Sequence, residues 1–179
     1  HLQDNGTVSI LGGTLFRATS SLNSSGEGLT GAGIFVNEGT FARIGTATCT
    51  INCTFTNNGT VNHGHTGSLS VGASFQNSTA GVYYLLGDGN IVGGGTFVNA
   101  GLVSKTSGTG ISLIRTRLSN VGGTLQALSG LLRVTGQTVF TGGACLAQIN
   151  AAIELAANAT LTGPITGGGS GIIAWAGGN

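Results

Sequence analysis

The sequence predicts an all-β fold, a right-handed parallel β-helix (β-solenoid) of about eight coils with roughly 20–22 residues per coil. Three observations support this prediction: a large apolar residue recurs at that interval, an asparagine recurs in phase with it, and the composition disfavours helices. We assign residues 1–179 to one solenoid domain. Because the sequence begins at His1 and contains no Met, we expect a processed chain or a piece of a longer one.

The apolar repeat is the strongest signal. Phe or Leu recurs with successive differences of 19, 20, 20, 22, 21, 22 and 21 residues. Its positions are Phe16, Phe35, Phe55, Phe75, Phe97, Leu118, Phe140 and Leu161. Because coils stack at the strand spacing of about 4.8 Å, residues of one phase should form a column inside the solenoid. The predicted structural core is Phe35, Phe55, Phe75, Phe97, Leu118 and Phe140.

An asparagine follows the apolar residue by two positions in five successive repeats. These residues are Asn37, Asn57, Asn77, Asn99 and Asn120. We expect them to form a structural ladder at a corner, where each amide bonds the turn backbone and the next asparagine. In four of the five repeats a glycine follows two positions later, and we expect it to supply a positive φ at the corner. These glycines are Gly39, Gly59, Gly101 and Gly122.

The composition is that of a β-protein with few charges. Charged residues make up 6% of the chain, against about 25% in ordinary globular domains. Glycine is abundant, helix formers such as Glu and Lys are scarce, and the β-branched residues favour strands. The alanine-rich stretch 144–159 is the one segment that could be read as a helix. We predict strands there as well, because the apolar repeat continues to Leu161.

Two segments that carry the repeat resemble a known class of bacterial protein. Residues 95–101 read Gly-Thr-Phe-Val-Asn-Ala-Gly, and residues 53–61 read Cys-Thr-Phe-Thr-Asn-Asn-Gly-Thr-Val. This pattern, which covers about residues 30–140, resembles the secreted β-solenoid repeats of autotransporter passengers and filamentous-haemagglutinin-like surface proteins. The resemblance implies a shared architecture and an extracellular or cell-surface location. It carries over no catalytic residue.

The charge pattern argues against several functions. The formal net charge is +1 and the basic residues are scattered, so we expect no nucleic-acid partner. No run of about 18 apolar residues occurs, so we expect no membrane insertion. The few carboxylates are spread over different coils, which disfavours an enzyme, and we expect neither catalytic residues nor a cofactor. These carboxylates are Asp4, Glu27, Glu38, Asp88 and Glu154.

Two histidines and one aspartate are candidates for a metal site. His63 and His65 could both point to one side of an extended segment, but no third ligand shares their phase. We therefore predict that both histidines are exposed in a corner loop. Asp88 lies between two glycines, but a calcium loop needs several more oxygen ligands, so we predict a plain turn. The sequence thus assigns no metal site.

Cysteines and glycosylation sequons are the remaining candidate sites. Cys145 should lie about four coils from Cys53, roughly 19 Å along the axis, which is too far for a disulfide. Cys49 and Cys53 could pair if the chain turned at residues 50–52, but not in a straight strand, so their pairing stays open. Candidate N-glycosylation sites are Asn5, Asn23, Asn52, Asn58 and Asn158. A sequon also occurs at Asn77, but burial in the ladder should protect it.

The pattern favours a structural function outside the cytoplasm. A solenoid exposes unpaired strands at both ends, and natural solenoids usually block them with a helix or a charged cap. Residues 7–11 and 172–175 read as strands without such a cap. This predicts head-to-tail self-association into a homopolymer. We therefore expect a subunit of a surface fibre, filament or adhesive stalk that assembles by end-to-end stacking.

The alternative function is a carbohydrate- or ice-binding solenoid, with a glycan as one candidate ligand. Thr54 and Thr56 form an outward-facing pair, and such pairs can match a repeating ligand on a flat face. Ice binding needs threonine pairs at one phase in many coils, whereas a neighbouring coil offers Ser68 and Ser70. The sequence therefore favours the structural function over this alternative.

Overall fold

Parallel pairing of each strand with the strand one coil later builds the solenoid. The computed structural model describes residues 2–4, 7–26 and 28–177, and only the backbone of residues 2–4. His1, the sequon residue Asn5 and the carboxylate Glu27 lie outside the described residues, and so does the side chain of Asp4. Within the described ranges the chain is all-β, has no helix and forms stacked coils, about eight in number. The predicted β-solenoid is confirmed.

The strands are short and follow one another closely, because each coil of about 20 residues must pass three corners. In chain order they are β1 (Leu2–Asp4), β2 (Val8–Ser9), β3 (Leu15–Ala18), β4 (Ser21–Ser24), β5 (Leu29–Asn37), β6 (Thr40–Arg43), β7 (Cys49–Asn57), β8 (Thr60–His63), β9 (Ser68–Val71), β10 (Ser74–Asn77), β11 (Val82–Leu85), β12 (Asn90–Val92), β13 (Thr96–Asn99), β14 (Leu102–Lys105), β15 (Ile111–Ile114), β16 (Arg117–Ala127), β17 (Gly130–Val134), β18 (Thr138–Ala147), β19 (Ala151–Leu155), β20 (Ala159–Leu161), β21 (Ile165–Gly168) and β22 (Ile172–Trp175). The alanine-rich stretch is therefore strand, as predicted.

Strand pairing sorts these strands into three columns, which form the three faces of the solenoid. The first face contains β1, β4, β6, β8, β11, β14, the second halves of β16 and β18, and β21. The second face contains β2, the first halves of β5 and β7, β9, β12, β15, β17, β19 and β22. The third face contains β3, the second halves of β5 and β7, β10, β13, the first halves of β16 and β18, and β20.

An aromatic column runs through the middle coils on the inner side of the third face. Phe35, Phe55, Phe75 and Phe97 pair in register from coil to coil and are fully buried. Their rings stack with centroid distances of 5.0, 4.6 and 4.8 Å, close to the strand spacing. Leu118 continues the column above Phe97. Stacking of like residues therefore follows from a repeat whose period equals the length of one coil.

The column changes in the next coil, and there the expected position of Phe140 is wrong. Phe140 is fully buried in the core, but in register it pairs with Asn120 and not with Leu118. The residue opposite Leu118 is Thr138, whose buried hydroxyl donates to the carbonyl oxygen of Gly136 at 2.9 Å. The coil that begins at Leu118 therefore reaches the same phase at Thr138, two residues before Phe140. When the register of a strand shifts by two residues, the same side chains still face the core. The alternation of apolar and polar residues in the sequence therefore does not reveal such a shift.

The corner glycines are required for a different reason from the one expected. Of the four predicted positions only Gly122 has a positive φ, 76°. At Gly59 a Cβ atom would lie 2.2 Å from the carbonyl oxygen of Gly39. At Gly101 it would lie 2.2 Å from that of Gly81. Glycine is therefore fixed at this corner by the close approach of successive coils.

Gly59→Ala should lower the free energy of unfolding by about 1–3 kcal/mol, because the new methyl group overlaps the backbone of the preceding coil. Gly94→Ala is the matched control, since no heavy atom lies within 4 Å of its Cβ position and no positive φ constrains it. Equilibrium unfolding in urea measures both variants. Equal effects of the two substitutions would contradict the close-approach explanation.

Candidate functional site: the polar corner columns and the open ends

Five asparagines form a continuous column of hydrogen bonds at the corner between the third and first faces. The members are Asn37, Asn57, Asn77, Asn99 and Asn120, all buried. In the first four, Nδ2 donates to the Oδ1 of the asparagine in the next coil, at 2.7–2.8 Å. Each of the first four also donates to a backbone carbonyl just beyond that asparagine, at 3.0–3.4 Å. The ladder thus satisfies the buried amides and corner carbonyls together.

The two ends of this asparagine ladder differ. At its C-terminal end the Nδ2 of Asn120 donates to the carbonyl oxygens of Gly123 and Gly142, at 2.8 and 2.9 Å, and Phe140 takes the next position. At its N-terminal end Asn37 lies above Ala18, which offers no amide. The buried Oδ1 of Asn37 has no hydrogen-bond partner among the described residues. All donors point toward the C-terminal end, so the unfilled position is an acceptor.

A second polar column lies on the inner side of the first face, where each strand turns toward the second face. Arg43, His63, Leu85 and Lys105 pair in register in successive coils and are fully buried. The three basic side chains bond carbonyl oxygens of the corner loops that follow them or neighbour them. A buried base is tolerated only where such partners replace water. These three bases therefore hold the second corner as the asparagines hold the first.

His63 corrects the expectation that both histidines are exposed. His63 is fully buried, while His65 is exposed in the corner with a φ of 62°. The Nε2 of His63 donates to the carbonyl oxygen of Gly67 at 2.7 Å, so its Nδ1 accepts the hydroxyl of Tyr83 at 2.8 Å. Burial lowers the pKa of His63 to about 4, so its ring is neutral at neutral pH.

Lys105 gives Asp88 a structural role beyond the plain turn expected for it. The Nζ of Lys105 lies 2.7 Å from Oδ1 of Asp88 and 2.9 Å from the carbonyl oxygen of Gly87. It also bonds the carbonyl oxygen of Ser107 and the hydroxyl of Ser112, at 3.1 and 3.2 Å. The ammonium group is fully buried, whereas the carboxylate is about a third exposed. The pair therefore anchors a corner loop.

The spacing of these residues along the sequence predicts this column, although the overall composition does not. The positions 43, 63, 85 and 105 differ by 20, 22 and 20 residues, the period of the phenylalanines. Basic residues are almost never fully buried unless they are paired, so a scattered set reads as solvent-exposed. Only the coil period identifies the three bases as members of one interior column.

The cysteines lie inside the solenoid and form no disulfide. β7 runs without a turn through residues 50–52, so Cys49 and Cys53 stay four residues apart on one strand. Burial raises the pKa of the Cys53 thiol to about 11 and that of Cys145 likewise to about 11. Neither thiol is therefore an ionised nucleophile at neutral pH.

The remaining sequence-predicted surface sites stay apart. Glu38 pairs with Arg17, and Glu154 pairs with Arg133 at 2.7 Å, in different coils. Of the sequons, Asn52, Asn58 and Asn158 are exposed and Asn23 is half-buried, so the structure brings none of them into a shared site. Asn77 is buried in the ladder.

Both ends of the described solenoid present unpaired strand edges with apolar side chains. Within the described residues, β1, β2 and β3 pair only with the following coil, and β20, β21 and β22 only with the preceding one. Phe16 is 39% exposed at the first end, and Ile172 and Trp175 are 65% and 54% exposed at the other. Groups of large exposed apolar side chains are uncommon on the surface of a monomeric protein.

The C-terminal end contains an apolar cavity of about 240 Å³. It forms because the third face ends at β20, whereas the first and second faces continue by one strand, β21 and β22. Its lining includes Phe140, Leu155, Leu161, Ile165, Ile173 and Trp175. The volume lies below the roughly 300–1,000 Å³ of small-molecule sites.

The titration of His63 should make the free energy of unfolding depend on pH. Its folded pKa of about 4 lies below the unfolded value of about 6.5, so the unfolded state takes up the proton first. The contribution of His63 to the free energy of unfolding is therefore fully present above about pH 6.5. As the pH falls toward 4, the free energy of unfolding should decrease by roughly 3 kcal/mol. His63→Gln should remove this loss and His65→Asn should retain it, measured by urea unfolding at several pH values. The same pH slope in the His63 variant as in the wild type would contradict the assignment.

Ala18→Asn should raise the free energy of unfolding by about 1 kcal/mol. The new amide stands in register with Asn37 and can donate to its unpartnered Oδ1, which adds a rung to the ladder. Ala18→Asp is the matched control, because it has the same shape without an amide donor and should not stabilise. Urea unfolding compares the two variants, and equal stabilities would argue that the ladder has no room for another rung.

Comparison with known proteins finds no relative of this chain. The sequence matches no family model, no curated protein and no solved structure. In the described part of the chain, no helix has the length and apolar character needed to cross a membrane. The same residues bring no three His, Cys, Asp or Glu side chains together in a group able to hold a metal ion. The β-solenoid architecture is therefore shown, and none of these comparisons links the chain to autotransporter passengers or haemagglutinin-like proteins.

Proposed function

We propose that the protein is an extracellular structural protein, a subunit of a surface fibre, filament or adhesive stalk whose solenoids stack end to end. The observation that carries this proposal is the pair of open apolar ends. Unpaired strand edges, such as those that the described residues present at each end, are templates for further pairing. A solenoid also gains stability chiefly from contacts between neighbouring coils, so a second copy can supply the missing neighbour.

The direction of the strands supports a head-to-tail joint. All pairings are parallel, so the edges at one end of a copy run in the same direction as the edges at the other end. In the proposed joint, β21 and β22 receive β1 and β2 of the next copy and continue the first and second faces. The third face has one strand fewer than the other two, because it ends at β20. Phe16 of the next copy then lies over the apolar cavity at this position. Such a heterologous contact does not close on itself and builds a filament.

The few charged residues near the ends produce little electrostatic repulsion at this joint. Arg17, the basic residue of β3, already pairs with Glu38 of the next coil. The chain as a whole has a net charge of +1, so long-range repulsion between copies is weak. The extracellular location rests on the resemblance to secreted surface repeats.

The carbohydrate- or ice-binding alternative has less support. Thr54 and Thr56 lie on the outer side of the third face, but their partners one coil before are Ile34 and Val36. One coil later the partners are Ser74 and Gln76. The threonine pair is therefore isolated and does not form the regular array that a repeating ligand needs.

Complementary end-blocked variants test the proposal. Phe16→Asp blocks the N-terminal end, and Ile173→Asp with Trp175→Asp blocks the C-terminal end. Each variant alone should remain monomeric, and a mixture of the two should form dimers only, because one intact joint is possible. Light scattering at micromolar concentration measures the masses. The wild type should form filaments with an axial repeat of about 43 Å by electron microscopy, which is nine strand spacings.

Gln76→Asp is the control for added charge, because Gln76 is exposed in the middle of the solenoid. It should polymerise like the wild type, and circular dichroism should show that all variants are folded. A wild-type chain that stays monomeric, or a mixture that forms no dimers, would exclude the head-to-tail joint and shift attention to ligand binding.

A further inference from the structure

The last coil lacks one interior side chain. On the inner side of the first face, a buried hydrophobic residue occupies the same position in successive coils. The members of this interior column, in register, are Leu22, Phe41, Val61, Tyr83, Val103, Leu125 and Cys145. The next member is Gly167, which has no side chain. The interior of the last coil is therefore short of one hydrophobic group.

The apolar cavity of about 240 Å³ at the C-terminal end lies over this missing side chain, and Gly167 is one of its lining residues. Phe140 and Leu155 belong to the preceding coil, line the cavity and are buried. Leu161 and Trp175 stand in register with them in the last coil and also line the cavity. Because no further coil covers them in the described chain, these two side chains are 44% and 54% exposed. The cavity thus has a buried floor and an open mouth.

The residues that line the cavity offer apolar contacts and no charge. Its one acidic group is the thiol of Cys145, and burial raises the pKa of that thiol to about 11, so it is neutral. An apolar cavity of about 150 Å³ can stay dry and bind benzene. The larger volume here has room for one ring with a small substituent, although it is too small for a drug-sized ligand. A charged molecule would lose its hydration there without gaining a partner.

We infer that the cavity over Gly167 binds one small uncharged molecule with a single aromatic ring, such as a substituted benzene. The ring takes the interior position that Phe41 and Tyr83 fill in earlier coils, and it contacts Trp175 at the mouth. The cavity exists in a single copy, so this site goes beyond the end-to-end assembly proposed above and does not depend on it. In a filament the next copy would cover the same cavity, so the ligand and the joint would exclude each other.

Fluorescence of Trp175, the single tryptophan of the chain, tests this site. Iodobenzene is the probe, because its iodine quenches an indole that it touches. The titration uses Phe16→Asp, whose C-terminal cavity stays uncovered whether or not the wild type assembles. Quenching should saturate at one molecule per chain. The matched control ligand is 4-iodobenzoate, which should bind at least about tenfold more weakly because its carboxylate must be desolvated.

Two glycine variants in the Phe16→Asp background locate the ligand. Gly167→Phe should abolish the saturable quenching, because the new ring fills the cavity. Gly168→Phe is the matched control and should retain it, since Gly168 stands in register with Leu146 on the outer side of the face. Gly167→Phe should also melt at a higher temperature than Gly168→Phe. Quenching that does not saturate, or saturable quenching that persists in Gly167→Phe, would overturn the inference. The comparison of the two ligands decides the matter even if Gly167→Phe does not fold.

A titration of the wild type separates the free ligand from a side chain of the next copy. Where electron microscopy shows filaments, iodobenzene should bind at least tenfold more weakly than to Phe16→Asp. Equal binding to filaments and to Phe16→Asp would overturn the mutual exclusion of ligand and joint. A wild type that stays monomeric would overturn the joint alone, and it should bind iodobenzene as Phe16→Asp does.

Discussion

Stacking of one coil on the next at the strand spacing is the constraint on which the rest of this structure depends. Every side chain at a given phase meets the residue of the same phase about 4.8 Å away along the axis. Groups that attract copies of themselves can repeat, as Phe55, Asn57 and Gly59 do in one coil. Like charges cannot repeat in this way. Neutral His63 and apolar Leu85 accordingly separate Arg43 from Lys105 in the column of buried bases.

The sequence predicted those features whose residue types stack on themselves. The phenylalanines and asparagines repeat at the coil length, so both the fold and the ladder could be read from spacing. The position of Phe140 could not, because a slip of two residues in one coil leaves the apolar alternation intact. The reason for Gly59 could not be read either, since the contact that requires it comes from the preceding coil. His63 was misjudged because burial of a base depends on partners, here Tyr83 and Gly67, that lie elsewhere in the sequence.

The interior polar columns stop before the ends of the solenoid. The asparagine ladder runs from Asn37 to Asn120, and the buried bases from Arg43 to Lys105. In the outer coils these positions hold small or apolar residues, such as Ala18 at one end and Leu161 at the other. The middle coils are therefore fixed in register by directed hydrogen bonds, whereas the end coils offer apolar contact and backbone pairing. In the proposed end-to-end assembly, the middle coils would form a rigid rod and the end coils would form the joints.

The asparagine ladder also gives the solenoid a dipole along its axis. An amide group carries a dipole of about 3.5 D, and each rung from Asn37 to Asn120 donates toward the C-terminal end. Backbone dipoles in a sheet largely cancel, but these side-chain dipoles add. The axis therefore has a negative pole at the oxygen of Asn37 and a positive pole near Asn120. In a head-to-tail fibre the poles of all copies would align, so the fibre would orient in an electric field and present oppositely polarised tips to a charged surface.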